Sequence, residues 1–326
     1  MSLSRRAFFR NLGVDRTDSL SRDFLTSRGR EALEMWRNGL SFEDDEARMQ
    51  MPADAVLISS NENPLGPGPA AYQALLDGLD QQAGRYPTNF RPSHRELMQT
   101  IADKYDARPE NVTLGTGSGE ILENAAKAFT SPDRALVTAD PSYLQARRVA
   151  ERAGHPVRTV SLDANLRLDP ESIAREANGA GLVFLCNPNN PSSTVMPASD
   201  VEALVAEVRR SSPDTHILID EAYEDYVTDP AHQTAIPLAL RTPNVFVART
   251  FSKAYGMAGL RLGYGIGHAD TIAVLAQWTH VFNSNNLANA AAVASLNDPQ
   301  HLEQESARNK AARDYTIGVL SALGCQ

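Results

Sequence analysis

The sequence predicts an α/β fold with a mostly parallel sheet between helices. Short runs rich in Val, Ile, Leu and Phe recur along the chain, at 112–114, 134–138, 156–162, 181–186, 215–219, 244–248 and 261–266. Several of these runs are separated by segments in which apolar residues return every three or four positions, at 120–129, 142–153 and 198–210. Short apolar runs are typical of buried strands, and their alternation with amphipathic helices is typical of a parallel sheet.

Length and composition set the class of protein. The chain has 326 residues, roughly twice the length of a common single domain, so one large or two unequal domains are expected. A net charge of −9 gives no general attraction to nucleic acid or to anionic membranes. Cys186 and Cys325 are too few for a disulfide framework, and without a C-x-x-C or H-E-x-x-H pattern we expect no structural metal.

The N-terminal region begins like a twin-arginine export signal, with Arg5 and Arg6. Such a signal continues into an apolar stretch of roughly 7–15 residues, but residues 10–30 carry eight charged side chains. An exposed arm or an amphipathic helix in a cytoplasmic protein is therefore favoured over export. No apolar segment of about 18 residues occurs, so no membrane span is expected. A Pro- and Gly-rich stretch at 63–69 marks the junction with the main body.

In parallel sheets, ligands bind beyond the carboxyl ends of the strands, and four strand ends carry unusual residues. The first is the glycine-rich segment Gly115–Glu120, which leads from a strand into a helix. Glycines and a helix start favour an anion, so this loop either binds a phosphate or is a tight turn. A dinucleotide-binding turn is the rival, with Asp140 as its acid, but Glu120 stands where that fingerprint requires glycine.

The second and third strand ends carry an amide-rich turn and an acid. The prolines in Asn187–Pro191 rule out continuation of the strand, and this rigid turn either aims an amide at a ligand or is a plain Asx-type loop. Cys186 is interpreted as a core residue rather than a nucleophile. The strand at 215–219 delivers Asp220, which is either solvated or buried facing a cation. Sequence alone does not separate these two interpretations.

The fourth strand end carries Lys253, one of only four lysines in the chain. It lies among hydroxyl residues, and Arg261 follows eight positions later. A partly desolvated lysine can lose its proton and attack a carbonyl carbon, which gives a Schiff base. Pyridoxal phosphate chemistry needs such a lysine, an acid for the pyridine nitrogen and an anion site for the phosphate.

Seven ordered segments carry a resemblance to a known family: 60–64 (SNENP), 85–87 (RYP), 117–120 (GSGE), 186–191 (CNPNNP), 220–223 (DEAY), 249–261 (RTFSKAYGMAGLR) and 282–285 (FNSN). With them the chain resembles the fold-type I pyridoxal phosphate aminotransferases of class I/II, and most closely the histidinol-phosphate aminotransferase-like branch. The resemblance implies a large domain with a seven-stranded, mostly parallel sheet, a smaller α+β domain that is incomplete at the C-terminus, and a homodimer. It divides the chain into 1–60 (arm and part of the small domain), 61–290 (large cofactor-binding domain) and 291–326 (start of the small domain).

The resemblance also implies roles for individual residues. Lys253 would form the Schiff base with the cofactor and move the substrate proton, and Asp220 would pair with the pyridine nitrogen. Tyr223 and Asn190 would hydrogen-bond the phenolic oxygen of the cofactor, and Asn190 would also bind substrate, together with Asn61. The remaining cofactor contacts implied are Gly117, Ser118, Gly119, Thr250, Ser252 and Arg261 at the phosphate, Tyr143 at the ring face, and Tyr86 at the cofactor of the neighbouring subunit.

Some positions depart from the family pattern. Ser192-Ser193 stands where the family usually has Thr-Gly, and we expect the lost glycine to shift this loop. Gly119 stands where an acid is frequent, and no arginine can be assigned to the substrate carboxylate or phosphate.

The activity implied is amino transfer between a histidinol phosphate-like or aromatic amine and 2-oxoglutarate. Two alternatives stay open: decarboxylation of a phosphorylated amino acid on the same fold, and a non-catalytic or incomplete cofactor-binding relative.

Overall fold

A computed structural model of the protein describes residues 58–87 and 92–325. Backbone contacts divide the chain into two units, Met1–Asn61 and Glu62–Gln326, and every element named below lies in the second unit. The predicted N-terminal arm and its paired arginines lie outside the described residues, and the predicted domain boundaries at 60 and 290 stay predictions. In the two described stretches, no helix combines the length and apolar content that a membrane crossing needs.

Strands and helices alternate through most of this unit. The strands are β1 Val112–Gly115, β2 Leu136–Asp140, β3 Val157–Ser161, β4 Leu182–Cys186, β5 His216–Asp220, β6 Val245–Thr250 and β7 Gly263–Gly267. The helices are α1 Pro69–Gln82, α2 Pro92–Lys104, α3 Ser118–Phe129, α4 Gln145–Arg152, α5 Pro170–Glu176, α6 Ala198–Ser211, α7 Ile236–Arg241, α8 Ala269–Ala276, α9 Asn286–Leu296 and α10 Pro299–Ala322. Short 3-10 helices lie at Pro109–Asn111, Glu224–Tyr226 and Ala258–Leu260.

The strands form one seven-stranded sheet in the order β1-β7-β6-β5-β4-β2-β3. Strand β7 is antiparallel to both of its neighbours, and all other pairs are parallel. The predicted α/β class and mostly parallel sheet are therefore confirmed. Strand β2 ends at Asp140, two residues beyond the apolar run at 134–138, because Ala139 and Asp140 continue the parallel pairing to Val160 and Ser161.

The sheet is buried on both faces, as expected when helices cover a parallel sheet. Alternate residues of β4 contribute to two separate apolar clusters: Val183 and Leu185 to one, and Leu182, Phe184 and Cys186 to the other. This alternation follows from the two-residue period of a strand. Cys186 is 1% exposed, in agreement with its interpretation as a core residue.

The sequence predicts a helix at 314–323, and helix α10 extends well beyond this segment toward the N-terminus. The helix begins at Pro299. Asp298 caps it, because its side chain accepts a hydrogen bond from the backbone N–H of His301 at 3.2 Å. Within this helix Glu305 is the one buried residue. Periodicity missed the first half of α10 because that half has no apolar stripe.

Candidate active site

The register of the sheet brings the predicted strand-end residues to one edge. Asp220, the last residue of β5, pairs with Cys186 of β4 on one side and with Ala248 of β6 on the other. At the other side of β6, Gly263 of β7 pairs with both Thr250 and Gly115. The glycine-rich loop, the amide-rich turn, the acid and the lysine segment therefore all leave the sheet at the same edge.

Asp220 is a buried carboxyl group with one free oxygen. The residue is 2% exposed, and its Oδ1 atom has no hydrogen-bond partner among the described residues. Burial raises the pKa of this carboxyl to about 7, although the backbone N–H of Ala222 and the charge of Lys253 lower it. A cationic N–H group placed at Oδ1 would satisfy the oxygen and keep the carboxyl ionised.

Lys253 is half-buried near the acid. Burial lowers the pKa of its ammonium group, and Arg261 lowers it further, whereas Glu62 and Asp220 raise it. Its Nζ atom lies 5.7 Å from the centroid of the Tyr223 ring. The lowered pKa increases the fraction of neutral amine, which is the form that attacks a carbonyl carbon.

The glycine-rich loop at the start of α3 is a candidate anion site. Gly117 has φ +72°, and a Cβ atom there would lie 2.5 Å from Nη2 of Arg261. A Cβ at Gly263 would lie 2.3 Å from the backbone nitrogen of Ser118. The absence of these side chains leaves the free N–H groups of the helix start beside a guanidinium group, an arrangement that suits a phosphate.

Two hydroxyl groups lie next to this anion site in the sheet register. The Thr250 hydroxyl donates to Oγ of Ser252 at 3.0 Å and accepts the backbone N–H of Ser252 at 3.1 Å.

Glu120, the position that broke the dinucleotide fingerprint, accepts from the backbone N–H of Thr116 at 2.7 Å and from Nδ2 of Asn283 at 3.1 Å. Its carboxylate therefore holds the glycine-rich loop to the segment before α9.

Three predicted ring contacts lie close together. Nδ2 of Asn190 donates to the Tyr223 hydroxyl at 3.4 Å. Burial, followed by the charges of Asp220 and Tyr223, raises the pKa of Tyr143 to about 12. The Tyr143 hydroxyl donates to Oε1 of Gln145 at 3.1 Å. A Cβ at Gly119 would lie 2.7 Å from the same amide group, so Gln145 lies between Tyr143 and the glycine-rich loop.

The departure at Ser192-Ser193 is accommodated by the backbone. Ser193 has φ +57°, the left-handed conformation that a glycine adopts without strain. The Ser192 hydroxyl accepts from Nδ2 of the buried Asn189 at 2.8 Å, which fixes the turn. Asn190, between these two residues, still contacts Tyr223.

The site roles of two further residues, Tyr86 and Asn61, stay predictions. Tyr86 is 73% exposed, and its ring stacks on Phe282 with 4.9 Å between the ring centroids. Its predicted role at a neighbouring subunit stays a prediction. Asn61 belongs to the first unit, with φ +52°, and its predicted contact with substrate also stays a prediction.

Sequence reasoning missed a group of buried charges behind Asp220. Arg249 donates from Nη1 to Glu221 at 3.1 Å and from Nη2 to Asp225 at 2.9 Å, and all three side chains are at most 10% exposed. Burial opposes the charge of Arg249, but Asp225 and Glu221 are among the groups that raise its pKa. The sequence does contain one sign of this group, because Arg249 is a charged residue inside the mostly apolar strand β6.

Comparison with known proteins identifies the family. The family model for aminotransferase class I and II matches residues 53–326. Histidinol-phosphate aminotransferase 2 of Nitrosospira multiformis is 33% identical over 301 residues, which cover 90% of this chain and 74% of that protein. The histidinol-phosphate aminotransferase of Symbiobacterium thermophilum is 36% identical over 272 residues, 83% of this chain and 73% of that protein.

Solved structures agree with this assignment. The histidinol-phosphate aminotransferase of Sinorhizobium meliloti, solved in complex with pyridoxal-5'-phosphate, superposes with a TM-score of 0.73 at 28% identity, over 81% of this chain and 70% of that one. The enzyme of Clostridium acetobutylicum gives 0.72 at 26% identity, over 81% and 76%.

The residues of this chain fit the cofactor of that family, because the free Oδ1 of Asp220 suits a pyridine N–H and the Gly117 loop suits a phosphate. The chain belongs to the class I and II aminotransferases, and it is a pyridoxal phosphate-dependent transaminase.

Proposed function

We propose that this transaminase moves an amino group between histidinol phosphate, or a closely similar amine, and 2-oxoglutarate. The names of the similar proteins support this substrate. The observation that carries the proposal is the arrangement of Lys253, the free oxygen of Asp220 and the Gly117 anion site at one sheet edge.

Each group has a task that its surroundings support. Pyridoxal phosphate supplies, when bound, an electron-withdrawing ring that stabilises negative charge on the substrate carbon. Asp220 would accept the ring N–H at Oδ1 and hold that nitrogen protonated. Asn190 and Tyr223 would bind the phenolic oxygen, and Lys253 would attach the cofactor and afterwards carry the substrate proton at Nζ. Gly117, Ser118, Gly119, Thr250, Ser252 and Arg261 would bind the phosphate, and Tyr143 would cover the ring.

The experiment is an absorbance spectrum of the purified protein with pyridoxal phosphate, before and after addition of histidinol phosphate, aromatic amino acids or glutamate. We expect a visible band that needs Lys253 and that one donor converts to the pyridoxamine form. Lys253→Ala is expected to lack the band, whereas Lys127→Ala, at an exposed lysine of α3, is expected to keep it. Release of carbon dioxide in place of a keto acid or aldehyde product would favour the decarboxylase alternative.

We further propose a homodimer whose interface includes one face of α1. Tyr72, Leu76 and Leu79 lie on that face at helical spacing and are 56%, 45% and 51% exposed. The same unit also exposes the stacked rings of Tyr86 and Phe282. A second copy of this chain is the partner we propose, because the predicted task of Tyr86 is at a neighbouring subunit.

We also propose a cytoplasmic location, supported by the charged side chains between residues 10 and 30, with export as the alternative. Cell fractionation of the parent protein and of Arg5→Lys/Arg6→Lys separates the two. An effect of the double substitution on the distribution would favour export.

A further inference from the structure

A short segment lies between the lysine turn and helix α10. This bridging segment, residues 63–68, contacts the turn at 253–256 through one set of atoms and the first turns of α10 through another. None of its contacts was expected from the predicted roles of the site residues.

The contact between the bridging segment and the lysine turn is a close backbone contact. The backbone N–H of Gly256 donates to the carbonyl of Lys253 at 2.9 Å, which closes the turn. A Cβ atom at Gly256 would lie 1.9 Å from the carbonyl oxygen of Gly66, so no side chain fits between the two segments. Movement of the bridging segment therefore displaces the backbone that carries Lys253.

The contact between the bridging segment and α10 uses one face of the helix. A Cβ atom at Gly68 would lie 2.5 Å from Cδ2 of His301. One turn later, Oε2 of Glu305 accepts a hydrogen bond from Nδ2 of Asn63 at 3.0 Å. Residues four positions apart share a helix face, so both contacts act on the same side of α10.

The amide of Asn63 joins the two contacts. Its Nδ2 donates both to Glu305 and to the carbonyl oxygen of Ala254, the latter at 3.3 Å, and its Oδ1 accepts the backbone N–H of Leu65 at 3.0 Å. An amide has two N–H donors, so both are used in this arrangement. Because Ala254 follows Lys253 directly, the amide links α10 to the neighbour of the reactive lysine.

Glu305 is an unusual residue to be buried. It is 4% exposed on a helix whose other residues are not buried, and Arg308 supplies a second partner for its carboxylate. Burial of a carboxylate costs free energy unless it is paired and hydrogen-bonded, so an apolar side chain would pack here at lower cost. The carboxylate accepts the hydrogen bond from Asn63, which an apolar side chain could not do.

We propose that Glu305 is a positioning residue for Lys253, which acts through Asn63 and the carbonyl of Ala254. The inference rests on the proposed role of Lys253, and it extends the site to a helix that carries none of the predicted cofactor contacts. Removal of the carboxylate frees one N–H of Asn63, so the amide is no longer held in the orientation that contacts Ala254.

The test measures how fast the cofactor-free protein forms its Lys253-dependent band after addition of pyridoxal phosphate. We expect Glu305→Ala to slow this rate about tenfold, because small displacements of a reacting group have effects of this size. Glu305→Gln keeps an acceptor oxygen and is expected to restore the rate to within about twofold. Asn63→Ala breaks the same link from its other side, and the double variant Asn63→Ala/Glu305→Ala is expected to be no slower than either single variant.

Matched controls separate positioning from loss of charge or of stability. Glu303→Ala removes an exposed acid from the same helix, and Arg308→Gln removes the other partner of Glu305; both are expected to keep the parent rate. Thermal midpoints of all variants identify any that fail to fold, in which case Asn63→Ala and Glu305→Gln carry the comparison. An unchanged rate in the Glu305→Ala and Asn63→Ala variants would overturn the inference, as would additive effects. Absence of the band in the parent protein would instead contradict the cofactor role of Lys253.

Discussion

Arg249 on β6 donates at 3.1 Å to the carboxylate of Glu221, the residue that directly follows Asp220. The same carboxylate accepts from the backbone N–H of Ala235 at 2.6 Å and from the Thr234 hydroxyl at 2.7 Å. Three donors thus fix the chain one residue beyond Asp220, the acid proposed to bind the pyridine nitrogen. Asp220 itself has a free oxygen, so the satisfied carboxylate is structural and its neighbour is available for binding.

Loss of this buried ion pair should destabilise the protein strongly. Arg249→Met leaves Glu221 and Asp225 buried without their cation, and breaking such a pair costs about 3–5 kcal/mol. Urea unfolding of the cofactor-free protein measures the change. Arg241→Met is the matched control, because Arg241 pairs with Glu202 at 3.0 Å while both side chains are about 60% exposed, and its loss should cost at most about 0.5 kcal/mol. Equal losses in the two variants would contradict this account of the buried pair.

Asp220 should make the cofactor-free protein less stable as the pH rises. The folded carboxyl has a pKa of about 7, whereas an unfolded aspartate has a pKa of about 3.9. Between these values the folded protein holds a proton that the unfolded chain has released. The free energy of unfolding is therefore highest below the unfolded pKa, and it decreases as the pH rises through the folded pKa.

It follows that Asp220→Asn should be more resistant to urea than the parent at pH 8, by about 4 kcal/mol, because roughly three pKa units at ~1.4 kcal/mol each separate the folded and unfolded carboxyl, and that the difference should shrink toward pH 5. The same substitution should abolish tight pyridoxal phosphate binding. Asp133→Asn, at an exposed carboxyl before β2, should change neither property. A parent protein that gains stability relative to Asp220→Asn between pH 5 and pH 8 would contradict the raised pKa.

The sequence predicts the strands and the residues at their ends, because an apolar run followed by glycine, proline or a lone lysine is a local signal. It does not predict that Arg249 meets Glu221, since this contact depends on the register between β5 and β6, and neither run specifies that register. The contact of Glu305 with Asn63 escapes for a related reason, because 242 positions separate the two residues in the chain. Contacts between distant segments form only when the fold brings the elements together.

Replacement of Ser193 by glycine should stabilise the amide-rich turn. Its φ of +57° strains an L-residue by about 1 kcal/mol, and part of the gain is offset by the larger backbone freedom of glycine in the unfolded chain. We expect Ser193→Gly to raise the free energy of unfolding by about 0.5 kcal/mol. Ser192→Gly is the control, since it removes hydrogen bonds to Asn189 and Thr194 and should destabilise. A destabilised Ser193→Gly would show that the hydroxyl matters more than the strain.

Gly117→Ala should weaken cofactor binding. The added Cβ would lie 2.5 Å from Nη2 of Arg261, so the guanidinium must move away from the anion site. Loss of one charge-assisted hydrogen bond corresponds to about tenfold to a hundredfold in affinity, measured by titration of the cofactor-free protein with pyridoxal phosphate. Gly318→Ala, on α10 with no atom within 4 Å of the added Cβ, should leave this affinity unchanged. An unchanged affinity of the Gly117→Ala protein would show that the phosphate binds elsewhere.

Mixed dimers should show whether Tyr86 serves the neighbouring subunit. Tyr86→Ala and Lys253→Ala proteins should each have little activity alone. A mixed dimer contains one site with both residues intact, because the lysine comes from one chain and the tyrosine from the other. When the two variant proteins are mixed in equal amounts and their subunits exchange freely, half of the dimers are mixed. Each mixed dimer has one working site out of two, so the mixture should recover about one quarter of the parent activity. No recovery under conditions in which the subunits demonstrably exchange would place Tyr86 in its own subunit's site, and its exposure of 73% would then need another explanation.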